Sequence, residues 1–139
     1  MGWKNGFFAD GFQALDLCGS LDASKEANGF VSEDYSRRLL GLSTGTVDTV
    51  YGQSFSVDCD IIEAPIVDYL INCGGIGIRL LELRSKQLNA LRLIAENATR
   101  VVSICIGAFV LVKVFPEQSH RVTPHWQHYR QLAQQVANY

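Results

Sequence analysis

The sequence predicts an α/β fold with a mainly parallel sheet. Two observations carry this. Short apolar runs alternate with stretches of helical periodicity along the whole chain. The run Val101-Val102-Ser103-Ile104 is also a clean buried strand that stops at Cys105, with a helix expected from Gly107-Ala108.

The other elements follow in order. Phe7-Phe8 reads as the end of a first strand, weakened by Lys4, Asn5 and Gly6, where a buried parallel strand favours Val or Ile. Leu15 to Asn28 reads as a helix that Gly29 stops. Tyr35 to Ser43 reads as a strand, and Val47 to Val57 as a hairpin around Tyr51-Gly52-Gln53. Ala64-Pro65 breaks the chain, and Ile66 to Ile71 is a buried strand running into Gly74-Gly75. Ser85 is placed to cap a helix that runs through Asn97. Pro116 ends the helix that follows Cys105. Arg121-Val122-Thr123 reads as a short strand, and His125 to Val136 as a last amphipathic helix with Pro124 near its start.

Composition narrows the function. The 139 residues suit one domain, and 47% hydrophobic against 19% charged residues suits a folded one. Twelve basic and fourteen acidic residues leave no electrostatic footprint for nucleic acid or for an anionic membrane. No apolar run reaches the about 18 residues that span a bilayer. The opening Met1-Gly2-Trp3-Lys4-Asn5-Gly6 has no apolar stretch behind a basic start, so a cytoplasmic chain is expected. Cys18, Cys59, Cys73 and Cys105 form no CxxC pair, so neither metal spacing nor a disulfide framework is expected, and no cofactor is implied.

The strongest chemical signal is Val101-Val102-Ser103-Ile104-Cys105-Ile106-Gly107-Ala108-Phe109. A buried strand delivers Cys105 into a tight turn, and the small Gly107 and Ala108 let the next helix close on the sheet, the logic of a nucleophile elbow. The thiol then stands at the carboxyl end of the sheet, where open α/β folds bind ligands, and at a helix start whose dipole favours a thiolate. A buried structural cysteine is the competing reading of the same residues.

This segment resembles the Ser-Val-Cys-Thr-Gly-Ala-Phe-Leu-Leu elbow of the PfpI/ThiJ superfamily. The match is to the branch holding isonitrile hydratases and the N-terminal domains of GlxA-type AraC-family regulators. Three more stretches agree in order: Asp10 to Gly19, Asn72-Cys73-Gly74-Gly75-Ile76-Gly77, and Arg121-Val122-Thr123-Pro124-His125-Trp126. The resemblance implies a flavodoxin-like three-layer sandwich in which residues 1–139 form a single class I glutamine amidotransferase-like domain. It also implies that this domain lacks the usual C-terminal strand and helix.

The resemblance makes Asp16 the acidic partner of Cys105, able to hold or shuttle a proton. It sets Gly74 and Gly75 beside the thiol as half of an oxyanion or ligand-binding site, with the Ile106 N–H as the other half. It makes His125 an accessory residue, more structural than catalytic. His120 and His128 read as solvated. Ile106 departs from the pattern, standing where the enzymes carry threonine and removing a hydroxyl beside the thiol. Two functions follow as expectations. One is a sensor domain for a small molecule, of the AraC-regulator kind, without the DNA-binding module. The other is a Cys105-dependent hydratase or hydrolase acting on an electrophilic substrate. Both imply a homodimer, and neither gives this chain a nucleic-acid or membrane partner.

Overall fold

A computed structural model describes residues 3–8, 11–32, 34–119 and 121–137, with the side chains of residues 3, 7, 8 and 137 left aside. Asp10, His120 and the terminal residues 138–139 lie outside the described set. The chain begins β1 (Trp3–Phe8), α1 (Ala14–Ala27) and β2 (Tyr35–Gly41), then turns through the hairpin β3 (Gly45–Asp48) and β4 (Ser54–Val57). It continues with β5 (Cys59–Asp60), β6 (Tyr69–Asn72), α2 (Ile76–Arg79), α3 (Ser85–Asn97) and β7 (Arg100–Ser103). A 3₁₀ turn at Cys105–Gly107 leads into α4 (Ala108–Val114), and another at Trp126–His128 into α5 (Tyr129–Ala137).

The main sheet has the order β5-β2-β1-β6-β7, and every pair is parallel. Successive strand residues serve opposite faces, as the pleat requires. Leu40 and Leu70 enter one core with Leu91, Ile94 and Val110 from α3 and α4. Leu39 and Ile71 enter a second core with Phe12, Leu17 and the hairpin's Val47. Both faces are therefore apolar, which is why these strands read as continuous hydrophobic runs. A third, smaller core joins α4 to α5 through Ile106, Phe109, Val112 and Leu132. Among the described residues no helix is long and apolar enough to cross a membrane.

The α/β class, the elbow strand and the 47–57 hairpin stand as expected. Five details differ. The first strand is central, not marginal: β1 lies between β2 and β6 and holds Asn5 and Gly6 in the middle of the sheet. The sixth strand starts only at Tyr69, because Asp68 is taken up by Lys4: its N–H donates to the Lys4 carbonyl and its carboxylate accepts from the Lys4 N–H at 2.7 Å. Residues 121–123 form no strand; Val122 packs instead against the third core and Pro124 follows at once. The cap of α3 is Arg84, whose N–H donates to the Gln87 side chain at 3.0 Å, and Ser85 is already helical. A two-residue strand, β5, and a one-turn helix, α2, were too short to show as periodic patterns.

Candidate functional site

The register of β6 against β7 pairs Asn72 with Ser103. Carried on past the strand ends, it brings the Gly74 turn level with Cys105. Ile104 extends the pairing by donating its N–H to the Asn72 carbonyl at 3.0 Å, and the Gly107 N–H closes the turn on the Ile104 carbonyl at 2.8 Å. Cys105 itself has φ +51°, and among the described residues it alone combines a side chain with positive φ. An L-residue is held there only when its surroundings fix it, and a nucleophile elbow is one such case. Cys105 is exposed, while the neighbouring Ile106 is 8% exposed and turned into the third core.

Asp16 sits in the first turn of α1 and is half-buried. Its carboxylate accepts the Gly74 N–H at 2.9 Å, a bond spanning 58 residues, so it is more than a local helix-start acceptor. Burial pushes its carboxyl above the usual range, and the Gly74 N–H pulls in the opposite direction. Gly74 has no room for a side chain. A Cβ there would fall 2.6 Å from the Ile104 carbonyl oxygen, 2.7 Å from Asp16 Oδ2 and 3.1 Å from the Ile106 nitrogen. One point thus touches the carboxylate, the elbow carbonyl and the elbow amide. The Gly74 N–H is engaged by Asp16; what Gly74 adds to the site is the absence of a side chain.

Gly75, with φ +152°, opens α2 and lies against the first turn of the chain: a Cβ on it would come within 2.5 Å of the Phe12 Cα. Gln13 donates its N–H to the Gly74 carbonyl at 2.7 Å and Gly77 donates to the Gly11 carbonyl at 3.1 Å. These bonds stitch the 11–19 segment to the 72–77 segment. Beneath the elbow lies Asn72, whose Oδ1 is buried without a hydrogen-bond partner. Three of the four sequence motifs thereby meet at Cys105, Asp16, Gly74, Gly75 and Ile106.

His125 takes part in none of these bonds. Its Nδ1 accepts the Gln127 N–H at 3.3 Å, capping the 3₁₀ turn, and among the described residues no hydrogen bond or ring contact joins it to Cys105 or Asp16. His128 is not simply solvated: it is half-buried, with Nδ1 3.1 Å from an Arg79 nitrogen. Sequence reading missed Arg79, and no local pattern flags it, since its partner lies 49 residues on. The other cysteines are free thiols. Cys73 is buried and its thiol is pushed up to about 12, chiefly by burial and then by Asp16; burial also raises Cys59. Among the described residues no group of three or more potential ligands is placed to hold a metal.

A parallel α/β domain with a positive-φ cysteine on its strand-to-helix turn, beside a glycine pair to which a helix carboxylate is bonded, defines a class of α/β domains with an elbow at the carboxyl end of the sheet. The chain belongs to the DJ-1/PfpI family, whose model matches residues 7–139. It is 34% identical over 124 residues to a Streptomyces lividans protein of the cpoL 5′ region, covering 89% of this chain and 87% of that one. It is 25% identical over 119 residues to the HTH-type transcriptional regulator GbdR of Pseudomonas aeruginosa, covering 85% of this chain and 32% of the regulator. Among solved structures it matches a ThiJ/PfpI family protein from Pseudomonas syringae with TM-score 0.79 and 16% identity, over 98% of this chain and 55% of that one. An AraC family transcriptional regulator from Pseudomonas putida matches with TM-score 0.73 and 16% identity, over 97% of this chain and 72% of that one. At these identities the structural matches establish the fold. The chain spans about a third of GbdR and about half of the P. syringae protein.

Proposed function

We propose that this domain binds a small molecule over Cys105 and serves as a sensor domain of the AraC-regulator kind. The observation that carries this is position 106. The elbow turn is formed, yet Ile106, where the resemblance has threonine, packs into the core with Ala108, Phe109 and Leu132 and brings no hydroxyl to the turn. A polar substrate held there loses a hydrogen-bond donor in a site that would otherwise supply one. The kinship with GbdR and the fold shared with an AraC family regulator support the same reading. A homodimer belongs to it, and sedimentation at micromolar concentration tests that part: a monomer there counts against it.

A second reading, a Cys105-dependent hydratase of the isonitrile type, is favoured by one observation. Burial lifts the Asp16 carboxyl, which keeps more of it protonated and able to donate. One experiment separates the two. The purified chain is offered an alkyl isonitrile, formamide release is measured, and thermal stability is followed across a panel of small metabolites. Binding predicts stabilisation by a ligand, lost when the exposed Cys105 is replaced by phenylalanine, and no formamide. Formamide release that disappears in Cys105→Ser would establish the enzyme instead.

A further inference from the structure

Helix α3 serves the core with one side and leaves an apolar stripe uncovered on the other. Leu91, Ile94 and Ala95 are buried, as the inner face of an amphipathic helix should be. On the outer face Leu93 is 62% exposed. Beside it, in the loop that precedes β6, Ile62 and Ile66 are 43% and 68% exposed. An apolar cleft of about 230 Å³ lies between helix and loop, with Ile61, Ala64, Ala90 and Ile94 among its lining. Exposed aliphatic residues scattered singly are ordinary, but three around one cleft form a patch, and a patch marks an interaction surface.

The order of residues along the stripe says what fits it. Lys86, Ala90, Leu93 and Asn97 fall within an arc of about 60° on the helix surface. The pairs 86 with 97 and 90 with 93 are centred on the same point of the helix. A second copy laid antiparallel about a twofold axis through that point therefore sets Leu93 of one copy over Ala90 of the other, beside the cleft. Large meets small at the centre. At each end Lys86 meets the last turn of the opposite helix, where the dipole favours a cation. Asn97 spends its Nδ2 on the Leu93 carbonyl at 2.8 Å, which leaves Oδ1 as the acceptor for that ammonium. Among the described residues Lys86 forms no ion pair within its own chain. A twofold contact requires a surface complementary to itself, and this stripe meets that condition in both size and charge.

We propose that the outer face of α3, flanked by Ile62 and Ile66, is the surface on which two copies of this chain pair, helix against helix and antiparallel. The inference rests on the homodimer of the reading above and assigns its face. Three aliphatic residues a side fall short of the about 800 Å² that each partner gives to a stable interface, so the pair is a reversible one in the micromolar range. The patch contains no residue of the elbow frame, which makes pairing and ligand binding separable by mutation.

Sedimentation equilibrium of the full chain across the micromolar range tests this, and the expected result is a monomer–dimer equilibrium. Leu93→Asp occurs twice in the pair and should weaken dimerisation by about a hundredfold, tenfold for each copy. Lys86→Glu should weaken it by about tenfold. Lys86→Glu combined with Asn97→Lys should recover most of that loss, because the exchanged charges meet only across an antiparallel pair. Ile66→Asp, a second exposed position, guards against misfolding of Leu93→Asp, and an unchanged rate of Cys105 alkylation shows that each variant keeps its fold. A dimer equally tight in Leu93→Asp and Ile66→Asp overturns this face and leaves the homodimer standing. Failure of the charge exchange to restore Lys86→Glu overturns the antiparallel arrangement. A chain that stays monomeric throughout overturns the pairing and the homodimer together, and gives the patch to a different protein. Stabilisation by a metabolite, measured on the same samples, then decides the small-molecule reading on its own.

Discussion

Replacing Gly74 with alanine should deform the elbow and destabilise the domain. A new methyl would lie 2.6 Å from the Ile104 oxygen and 2.7 Å from Asp16 Oδ2. A comfortable separation for a methyl carbon is about 3.5 Å, so each contact is short by close to an ångström. The Ile104 oxygen and the Ile106 nitrogen are backbone atoms of the elbow and cannot rotate away. Asp16 can swing aside, but it then gives up the Gly74 N–H. Overpacking of this kind costs about 1–3 kcal/mol, and loss of a charged hydrogen bond, discounted here for partial exposure, adds about 1 kcal/mol. A total of about 2–4 kcal/mol corresponds to a fall in Tm of about 8–16 °C for a chain of this length. Urea and thermal denaturation of Gly74→Ala measure it, and the rate of Cys105 alkylation reports on the elbow. Asp16→Ala in the same chain removes one short contact and should recover only part of the loss. An unchanged Tm in Gly74→Ala, or complete rescue by Asp16→Ala, refutes the reasoning, because either shows that the elbow backbone yields freely.

Three further outcomes are expected. Asp16 holds its proton more tightly folded than unfolded, so its contribution to stability is full below the ordinary 3.8 and is lost as pH rises through the raised value. Asp16→Asn, which keeps an acceptor for Gly74, should remove that slope in urea denaturation series, and superimposable pH profiles would contradict it. With a thiol reagent, exposed Cys105 should react ahead of the half-buried Cys18 and Cys59, and Cys73 only on unfolding. A fastest phase that persists in Cys105→Ser would show that another thiol leads. Asn5 is 5% exposed on the central strand with Oδ1 unpartnered, and Asn5→Val should stabilise the fold by about 1–2 kcal/mol, read as a higher urea midpoint. A lower midpoint would show that the amide is more fully satisfied than its single bond to Ser24 indicates.

The elements legible in the sequence are those whose cause is local. Leu39-Leu40 and Leu70-Ile71 are apolar on both faces because both faces of a parallel sheet are covered, and the run itself declares it. The elbow is legible because a strand ending at Cys105 and continuing through Gly107 and Ala108 has few ways to turn. What stayed hidden depends on partners distant in sequence. Lys4, Asn5 and Gly6 look unfit for a central strand, and only the neighbours explain how they fit: Val67 and Leu40 occupy the space beside Gly6, and Ser24 takes the Asn5 amide. Ile66 and Val67 are apolar enough for a strand, but Asp68 shares two hydrogen bonds with Lys4, one through its carboxylate, and the ladder begins only at Tyr69. Arg79 and His128 each look like ordinary surface residues until α2 and the turn before α5 are brought together.

The same distinction bears on what the retained site residues mean. Asp16 accepts a hydrogen bond from the Gly74 turn and so ties α1 to the end of β6. Gly74 leaves room for the Ile104 carbonyl, and Gly75 leaves room for the turn at Phe12. Each of these residues is needed to assemble the carboxyl end of the sheet, whether or not Cys105 performs chemistry. Their presence is therefore poor evidence for turnover, since a pure binding domain would suffer the same loss of packing without them. Position 106 is different. Its side chain is 8% exposed and packs with Phe109 and Leu132, so a hydroxyl there would cost stability unless a polar group at the elbow took it up. Isoleucine satisfies that core without a polar partner, so a threonine-type hydroxyl would be retained at 106 only where the elbow had a polar task for it, and its absence favours binding over turnover.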